Sequence, residues 1–408
     1  MRERAGTDAD AVLGVRPRVV FEPASGEEAA AAMARAAAEG LSLAFVGGGT
    51  DLGLGGRPER LDAVIRTGGL SRLVAHAPGD QVVTVEAGMT LAALQAALAP
   101  QGQWLALDAP FPERATVGGI VAGNAFGPRR ARYGGPRDLV LGVTLVRADG
   151  TEARGGGRVV KNVAGFDVPR LLVGSRGSLA LITTITFRVH PLPETGATVR
   201  FAGLLPAQAW ALARAWRAAQ LEPSAAAGLV DRRVLDLGVR FEGFAAGVED
   251  QATRLEALGL TLGLSGARLG AAEAEAFWRR HQAVREGGPL RAKLSAPSDE
   301  LAQLVEGWLP MLLAGLAEGS AVVYPTLGLA FAAGQPAATA DLAGAVERCR
   351  AGLLAAGGSL VICQAPDAVR GALDPWGPPP PALDLMRALK QRFDPERRLS
   401  PGCFVGGL

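Results

Sequence analysis

Three consecutive glycines, Gly47, Gly48 and Gly49, constrain this chain more than any other feature. They sit in the stretch FVGGGTDLG at residues 45–53, and a strand-like run over 41–46 delivers the backbone to them. Glycine loses more freedom on folding than any other residue and offers nothing to pack, so three in a row imply a special backbone or a ligand held close. Bare N–H groups in such a turn make a concave seat for an anion, typically a phosphate, although a plain tight turn has the same composition. Two well-known phosphate loops are excluded. The dinucleotide fingerprint G-x-G-x-x-G fits Gly47 and Gly49 but meets Leu52 at its last position. The triphosphate loop needs a Gly-Lys pair before Ser or Thr, and none of the three lysines follows a glycine.

Two further glycine-rich segments follow. Residues 114–127 read RATVGGIVAGNAFG, and residues 155–191 read GGGRVVKNVAGFDVPRLLVGSRGSLALITTITFRVHP. The two asparagines of the chain, Asn124 and Asn162, fall one in each, and Lys161, one of three lysines, adjoins the second. In a chain so rich in Ala, Gly and Arg, an amide or ammonium kept there points to a specific polar role, while asparagine also serves left-handed turns.

Around these segments the chain alternates strands and helices. Ser25 with Glu28 makes a capping-box pattern before an alanine-rich helix ending at Gly40. Residues 63–66 and 81–86 read as strands, and Thr90 caps a helix closed by Pro100 and Gly102. Residues 140–147 form a strand entering a turn at 148–150, and the β-branched run 180–190 reads as a long strand. Strands come too often for a simple doubly wound sheet. Beyond Pro193, strand-plus-helix units recur: strands at 198–204 and 237–243, helices from Pro206 and in VEDQATRLEAL, a helix capped by Ser298, and another over 341–357. This half reads as an α+β domain with an antiparallel sheet. A proline linker at 374–381 leads to a final helix and the tail DPERRLSPGCF.

Composition excludes several classes. With 408 residues, 49% apolar and 20% charged, the chain is globular rather than disordered. A net charge of +2 and no basic run give no reason to expect nucleic acid. The start lacks a signal-peptide core, and no apolar run reaches the roughly 18 residues that predict a transmembrane segment. Cys349, Cys363 and Cys403 form no CxxC pair, which fits a reduced cytosolic compartment without a zinc or iron–sulfur centre of its own.

The three glycine segments and the tail together resemble the vanillyl-alcohol-oxidase type of FAD enzymes, over residues 17–193 and 383–404. The resemblance implies an α+β fold in three parts. A PCMH-type FAD-binding domain of two α/β subdomains occupies 1–195, an α+β cap domain with an antiparallel sheet 196–370, and a proline linker with a C-terminal segment returning to the FAD domain 371–408. It implies that Val46, Gly47, Gly48, Gly49, Thr50 and Asp51 wrap the FAD pyrophosphate. Thr116, Val117, Gly118, Gly119, Gly123, Asn124 and Ala125 would lie along the flavin and pyrophosphate. The third segment, over 161–167 and 174–183, would complete the site with Lys161, Gly177 and Ile182, Ile182 through its backbone. The family's Asn-Pro-Gly triplet reads Ser400-Pro401-Gly402 here. Within the family, the length, the cap and the FDPERRLSPG ending are most similar to FAD-binding subunits of bacterial glycolate oxidases. That implies a small hydroxy-acid substrate, a catalytic flavin subunit and an iron–sulfur subunit as partners, and a cytoplasmic place, at most peripheral to the inner membrane through those partners. Covalent attachment in this superfamily uses His or Cys in the glycine segments; none stands there ahead of His190, so the FAD is expected to be non-covalent.

Oxidising a 2-hydroxy acid at a flavin needs a cation to grip the carboxylate and a base, most often histidine, to take the hydroxyl proton. His76 reads as a solvated residue of a HAPGD turn, His190 as a structural strand end, and His281 in FWRRHQAVR as part of a solvated helix face. Relatives that oxidise hydroxy acids themselves carry a cluster of cap histidines, often with a metal; here His281 alone falls in the cap region. Tyr324 and Lys293 could stand in for the base in principle, but their default readings are core packing and surface charge. No catalytic residue or metal ligand is assigned. Three readings remain: an accessory flavin subunit, a free-standing FAD oxidase or dehydrogenase of another alcohol or 2-hydroxy acid, and a flavin-fold assembly scaffold. The missing base favours the first, and the intact glycine segments oppose the last.

Overall fold

The computed structural model describes residues 1–159, 165–338 and 341–408; Lys161 and Asn162 lie outside the described residues. The chain divides into two compact units, one of residues 1–127, 134–192 and 378–408, the other of 128–133 and 193–377.

The first unit holds two main sheets. In one, the strands run Arg2–Ala5, Val19–Glu22, Ala63–Arg66 and Leu43–Val46 in spatial order. The last three are mutually parallel and the first is antiparallel to its neighbour. The helix Gly26–Ala38 buries Ala29, Ala32, Met33 and Ala36, one stripe at helical spacing, beneath this sheet. Its Ser25 cap accepts the Glu28 N–H as expected, but the Glu28 carboxylate takes the N–H of Ala24, one residue before the cap. The C-terminal tail closes the outer edge: Leu43 N–H donates to the Arg398 carbonyl and Ser400 N–H to the Leu43 carbonyl, each at 2.7 Å. The other sheet is antiparallel, in the order Leu73–Ala77, Val82–Glu86, Leu181–Arg188, Val140–Val146 and Glu152–Gly156. The helix Leu91–Leu98 starts at Thr90, whose hydroxyl accepts the Ala93 N–H.

His76 corrects the sequence reading. It lies in the strand Leu73–Ala77, ahead of the turn, with Nε2 2.7 Å from the Gln103 amide oxygen. The Gln103 amide nitrogen is spent on the Pro78 carbonyl, so the histidine is the donor.

The second unit is built on an antiparallel sheet of eight strands. In order they are Gly266–Arg268, Thr195–Leu204, Val234–Gly243, Ala225–Asp231, Leu316–Tyr324, Leu329–Pro336, Leu290–Ser295 and Ser359–Gln364. Leu235, Leu237 and Val239 turn one face into a core shared with the helices Pro206–Ala218, Ala245–Thr261 and Leu342–Ala355. The alternate residue Gly238 lies beneath Phe277 of the helix Ala271–Glu286, where a Cβ would stand 2.3 Å from the ring. Ser298 does not cap its helix: Ser298–Glu300 is a tight 3-10 turn that follows Pro297. After a short α-helical turn, Leu301–Gln303, comes a π-helical turn, Leu304–Trp308, just ahead of Pro310, whose ring and missing N–H interrupt a regular ladder. Among the described residues no helix is long and apolar enough to cross a membrane.

Candidate functional site

The strand Leu43–Val46 delivers the chain to Gly47, where the second glycine segment is already in place. A Cβ at residue 47 would lie 2.2 Å from Thr116 Oγ1, and one at residue 48 would lie 1.7 Å from the Arg114 carbonyl oxygen. Side chains at both positions are excluded by this chain's own packing. Gly49 is glycine for another reason: its φ is +69°, while a Cβ there would meet only Leu52 Cδ1 at an ordinary 3.8 Å. Among the described residues, no acceptor engages the N–H of Gly48 or Gly49.

The second segment is a short helix, Val117–Gly123, begun by Thr116, whose hydroxyl accepts the Gly119 N–H at 3.3 Å. Gly118 presses on residue 87, donating its N–H to the Ala87 carbonyl at 2.8 Å. The helix ends at Asn124 in a left-handed cap with φ +50°, the turn role open to asparagine. The third segment closes on that end, with Gly174 N–H on the Val121 carbonyl at 3.0 Å and Arg176 N–H on the Ala122 carbonyl at 2.9 Å. Gly177, with φ +74°, tucks beneath Phe45.

The tail supports these loops from behind. Gly56 N–H donates to the Cys403 carbonyl and Glu59 N–H to the Pro401 carbonyl, each at 3.0 Å. Lys390 is almost fully buried, and its Nζ donates to the carbonyls of Ser178 and Leu399 and to Asp394, at 2.7–2.8 Å.

The segments line an open cleft of about 130 Å³. Of the residues named from the sequence, Gly47, Gly48, Gly49, Thr50, Asp51, Thr116, Gly118, Gly119, Gly123, Gly177 and Ile182 line it. Val46 and Val117 are buried in the surrounding packing, Asn124 caps its helix, and Ala125 packs against the core of the antiparallel sheet. Lys161 falls outside the described residues. Sequence reasoning missed Phe45, Thr67, Ala87 and Ala122, and within the 174–183 segment it did not single out Ala180 or, above all, Arg176, which donates to Asp51 Oδ2 at 2.6 Å. One arginine among 39 carries no local signal beyond standing in the GSRG of the third segment. The walls are mostly backbone and small side chains, with unspent N–H groups. That donor set fits an anionic, phosphate-bearing group.

No histidine is among the described residues lining the cleft. His281 overturns the expectation of a solvated helix face: it is 3% exposed. Burial, together with the nearby Arg285 and Arg240 charges, pushes it down to about 3. The neutral ring places Nε2 2.9 Å from the Tyr324 hydroxyl, which also accepts from Arg285, and the Arg285 guanidinium stacks on Phe331 at 3.6 Å. Sequence spacing kept His281 on a helix but did not reveal that this side faces the sheet. Among the described residues, no group of three His, Cys, Asp or Glu side chains is arranged to hold a metal ion.

Comparison with known proteins adds the chemistry. Residues 17–156 match the family model described as an FAD binding domain. Over 129 residues the chain is 42% identical to the glycolate oxidase subunit GlcE of Escherichia coli (strain K12), covering 31% of this chain and 37% of that protein. A D-lactate dehydrogenase of Archaeoglobus fulgidus is 38% identical over 173 residues, 42% of this chain and 39% of that protein. The matched part thus spans well under half the length of these curated relatives. A solved alkyldihydroxyacetonephosphate synthase superposes with a TM-score of 0.72 over 95% of this chain and 78% of that one, at 18% identity, a likeness of fold.

Proposed function

We propose, from the premise that residues 17–156 form an FAD-binding domain, that the chain is an accessory flavin subunit of a complex oxidising a 2-hydroxy acid, with glycolate the leading candidate. FAD supplies a two-electron acceptor at its isoalloxazine ring. The chain's part is to hold that group through the Gly47–Gly49 loop, the Thr116–Gly119 turn, Gly123, Gly177 and Ile182, and to pass electrons toward an iron–sulfur partner. A catalytic flavin subunit is the second partner in this reading. Localisation follows from the complex: cytoplasmic, at most peripheral to the inner membrane.

The observation that carries the accessory role is the state of His281. A general base works best with a pKa near the operating pH and within reach of its proton. His281 is buried, neutral and already bonded to Tyr324, so it is withdrawn from such work. His76 is engaged by Gln103. The flavin is held without a covalent bond: no Cys or His is found among the described lining residues, and burial pushes the Cys403 thiol up to about 11, leaving it protonated.

The test is the visible spectrum of the purified chain before and after anaerobic glycolate. Flavin bands that persist oxidised support the accessory subunit. Bands bleached by glycolate make the chain a catalyst in its own right and sink the argument from the missing base. Absence of flavin bands even after FAD reconstitution leaves the assembly scaffold.

A further inference from the structure

Arg176 is a non-glycine residue in left-handed backbone, with φ +52°, between Gly174 at +80° and Gly177 at +74°. A glycine would sit there without strain, so a side chain kept at that position needs a reason. Its guanidinium supplies one. It donates to Asp51 Oδ2 and to the Asp51 carbonyl, both at 2.6 Å, and to the Leu54 carbonyl at 3.2 Å. Its own N–H holds the Ala122 carbonyl at 2.9 Å. One residue of the third glycine segment therefore grips the first with its side chain and the second with its backbone. The second segment is shaped to admit the pair, because a Cβ at Gly123 would stand 2.8 Å from Asp51 Oδ2. Arg176, Asp51 and Gly123 all line the cleft.

We propose that Arg176 is the positioning residue that pre-forms the cofactor cleft, locking three glycine segments into one shape before FAD arrives. The proposal rests on the FAD reading of the cleft. Glycine loops left free would have to be ordered at the moment of binding, and that ordering would be subtracted from affinity. The planar fork of arginine can bridge a carboxylate and two carbonyls at once, whereas the ammonium of lysine is a point charge on a flexible stem. The neighbouring Asp51 balances the guanidinium charge, so the clamp acts through geometry rather than as a bare cation.

The experiment titrates FAD into apo-protein and follows flavin fluorescence, with the thermal midpoint of each apo-protein measured alongside. Arg176→Gly relieves the left-handed strain and is expected to fold with a midpoint close to wild type, yet to bind FAD roughly tenfold or more weakly. Arg176→Lys is expected to be equally weak. Wild-type affinity in Arg176→Gly, or a lowered midpoint with unchanged affinity, reduces Arg176 to a stability residue and overturns the proposal. Full rescue by Arg176→Lys makes it a simple charge for the anionic cofactor and overturns it too. If Arg176→Gly fails to fold, Asp51→Asn takes its place, with weakened FAD binding expected and unchanged binding decisive against the clamp. Wild-type protein that binds no FAD removes the cofactor reading itself, an outcome separate from any of these.

Discussion

In the first unit the cations packed against the glycine loops and the tail add backbone carbonyls to their acid partners, whereas half-buried arginines of the second unit's sheet pair with other side chains. Lys390 takes the carbonyls of Ser178 and Leu399, Arg398 that of Ala148, and Arg176 those of Asp51 and Leu54. In the second unit Arg285 meets Tyr324 and Phe331, Arg129 meets Glu242, and Arg200 meets Asp236. The difference follows from what each unit is made of. Glycine loops and a returning tail leave carbonyls without a ladder partner, and a buried carbonyl must be bonded to something. An eight-stranded sheet satisfies its own backbone, so polar side chains are left to pair with each other. Arg350, buried in the second unit, follows the first pattern: it donates to the carbonyls of Asp374, in the irregular proline-rich stretch, and of Leu360, on the edge strand Ser359–Gln364.

If loops held by close backbone approach are the weak point of the first unit, Gly48→Val has the largest effect. Its side chain would enter the Arg114 carbonyl, so the expected outcome is complete loss of flavin, read as absorbance of the purified variant. The blocked partner is the chain's own backbone, so a folded variant retaining stoichiometric flavin would break the comparison. Lys390→Met comes next. It leaves the Asp394 carboxylate buried opposite a methyl group, and the expected cost is about 3–5 kcal/mol in a urea titration followed by flavin release.

The second unit is tested through pH. His281 titrates at about 3 when folded and 6.5 when free, so the unfolded chain takes up the proton first on acidification. Its contribution to stability is complete above pH 6.5 and is lost as pH falls from 6.5 toward 3. Wild type should therefore lose up to about 1.4 kcal/mol per pH unit more than His281→Gln across that window. Parallel slopes for the two proteins would remove the buried neutral histidine. Gly49→Ala sharpens the first unit: a Cβ there would make only an ordinary contact with Leu52, so backbone strain of about 1–2 kcal/mol is the whole expected effect, and flavin stays bound. Arg387→Ala, which breaks an exposed pair with Asp384 at 3.0 Å, should cost about 0.5 kcal/mol or less by thermal midpoint.

Much of the local structure was legible in the sequence because its causes are local. Ser25, Thr90 and Thr116 stand at helix starts, and two of these caps were read directly from a hydroxyl ahead of an apolar run. The glycine segments marked the cleft walls because glycine is the one residue whose presence announces close approach. Ser298 misled for an equally local reason: a good capping residue was placed beside Pro297, and the chain turned tightly instead.

By itself the sequence determined where the special backbone lies, where helices and strands alternate, and that the second half pairs antiparallel. Tertiary structure alone decided what the special backbone is for. Gly48 is glycine because Arg114 lies against it, Arg176 matters because it finds Asp51, and His281 is neutral because its helix turns it toward Tyr324. Each of these pairs joins residues tens of positions apart. Periodicity and capping report on neighbours within a turn or a strand, so the contacts that shape the cleft and silence the histidine arise only when the chain has folded back on itself.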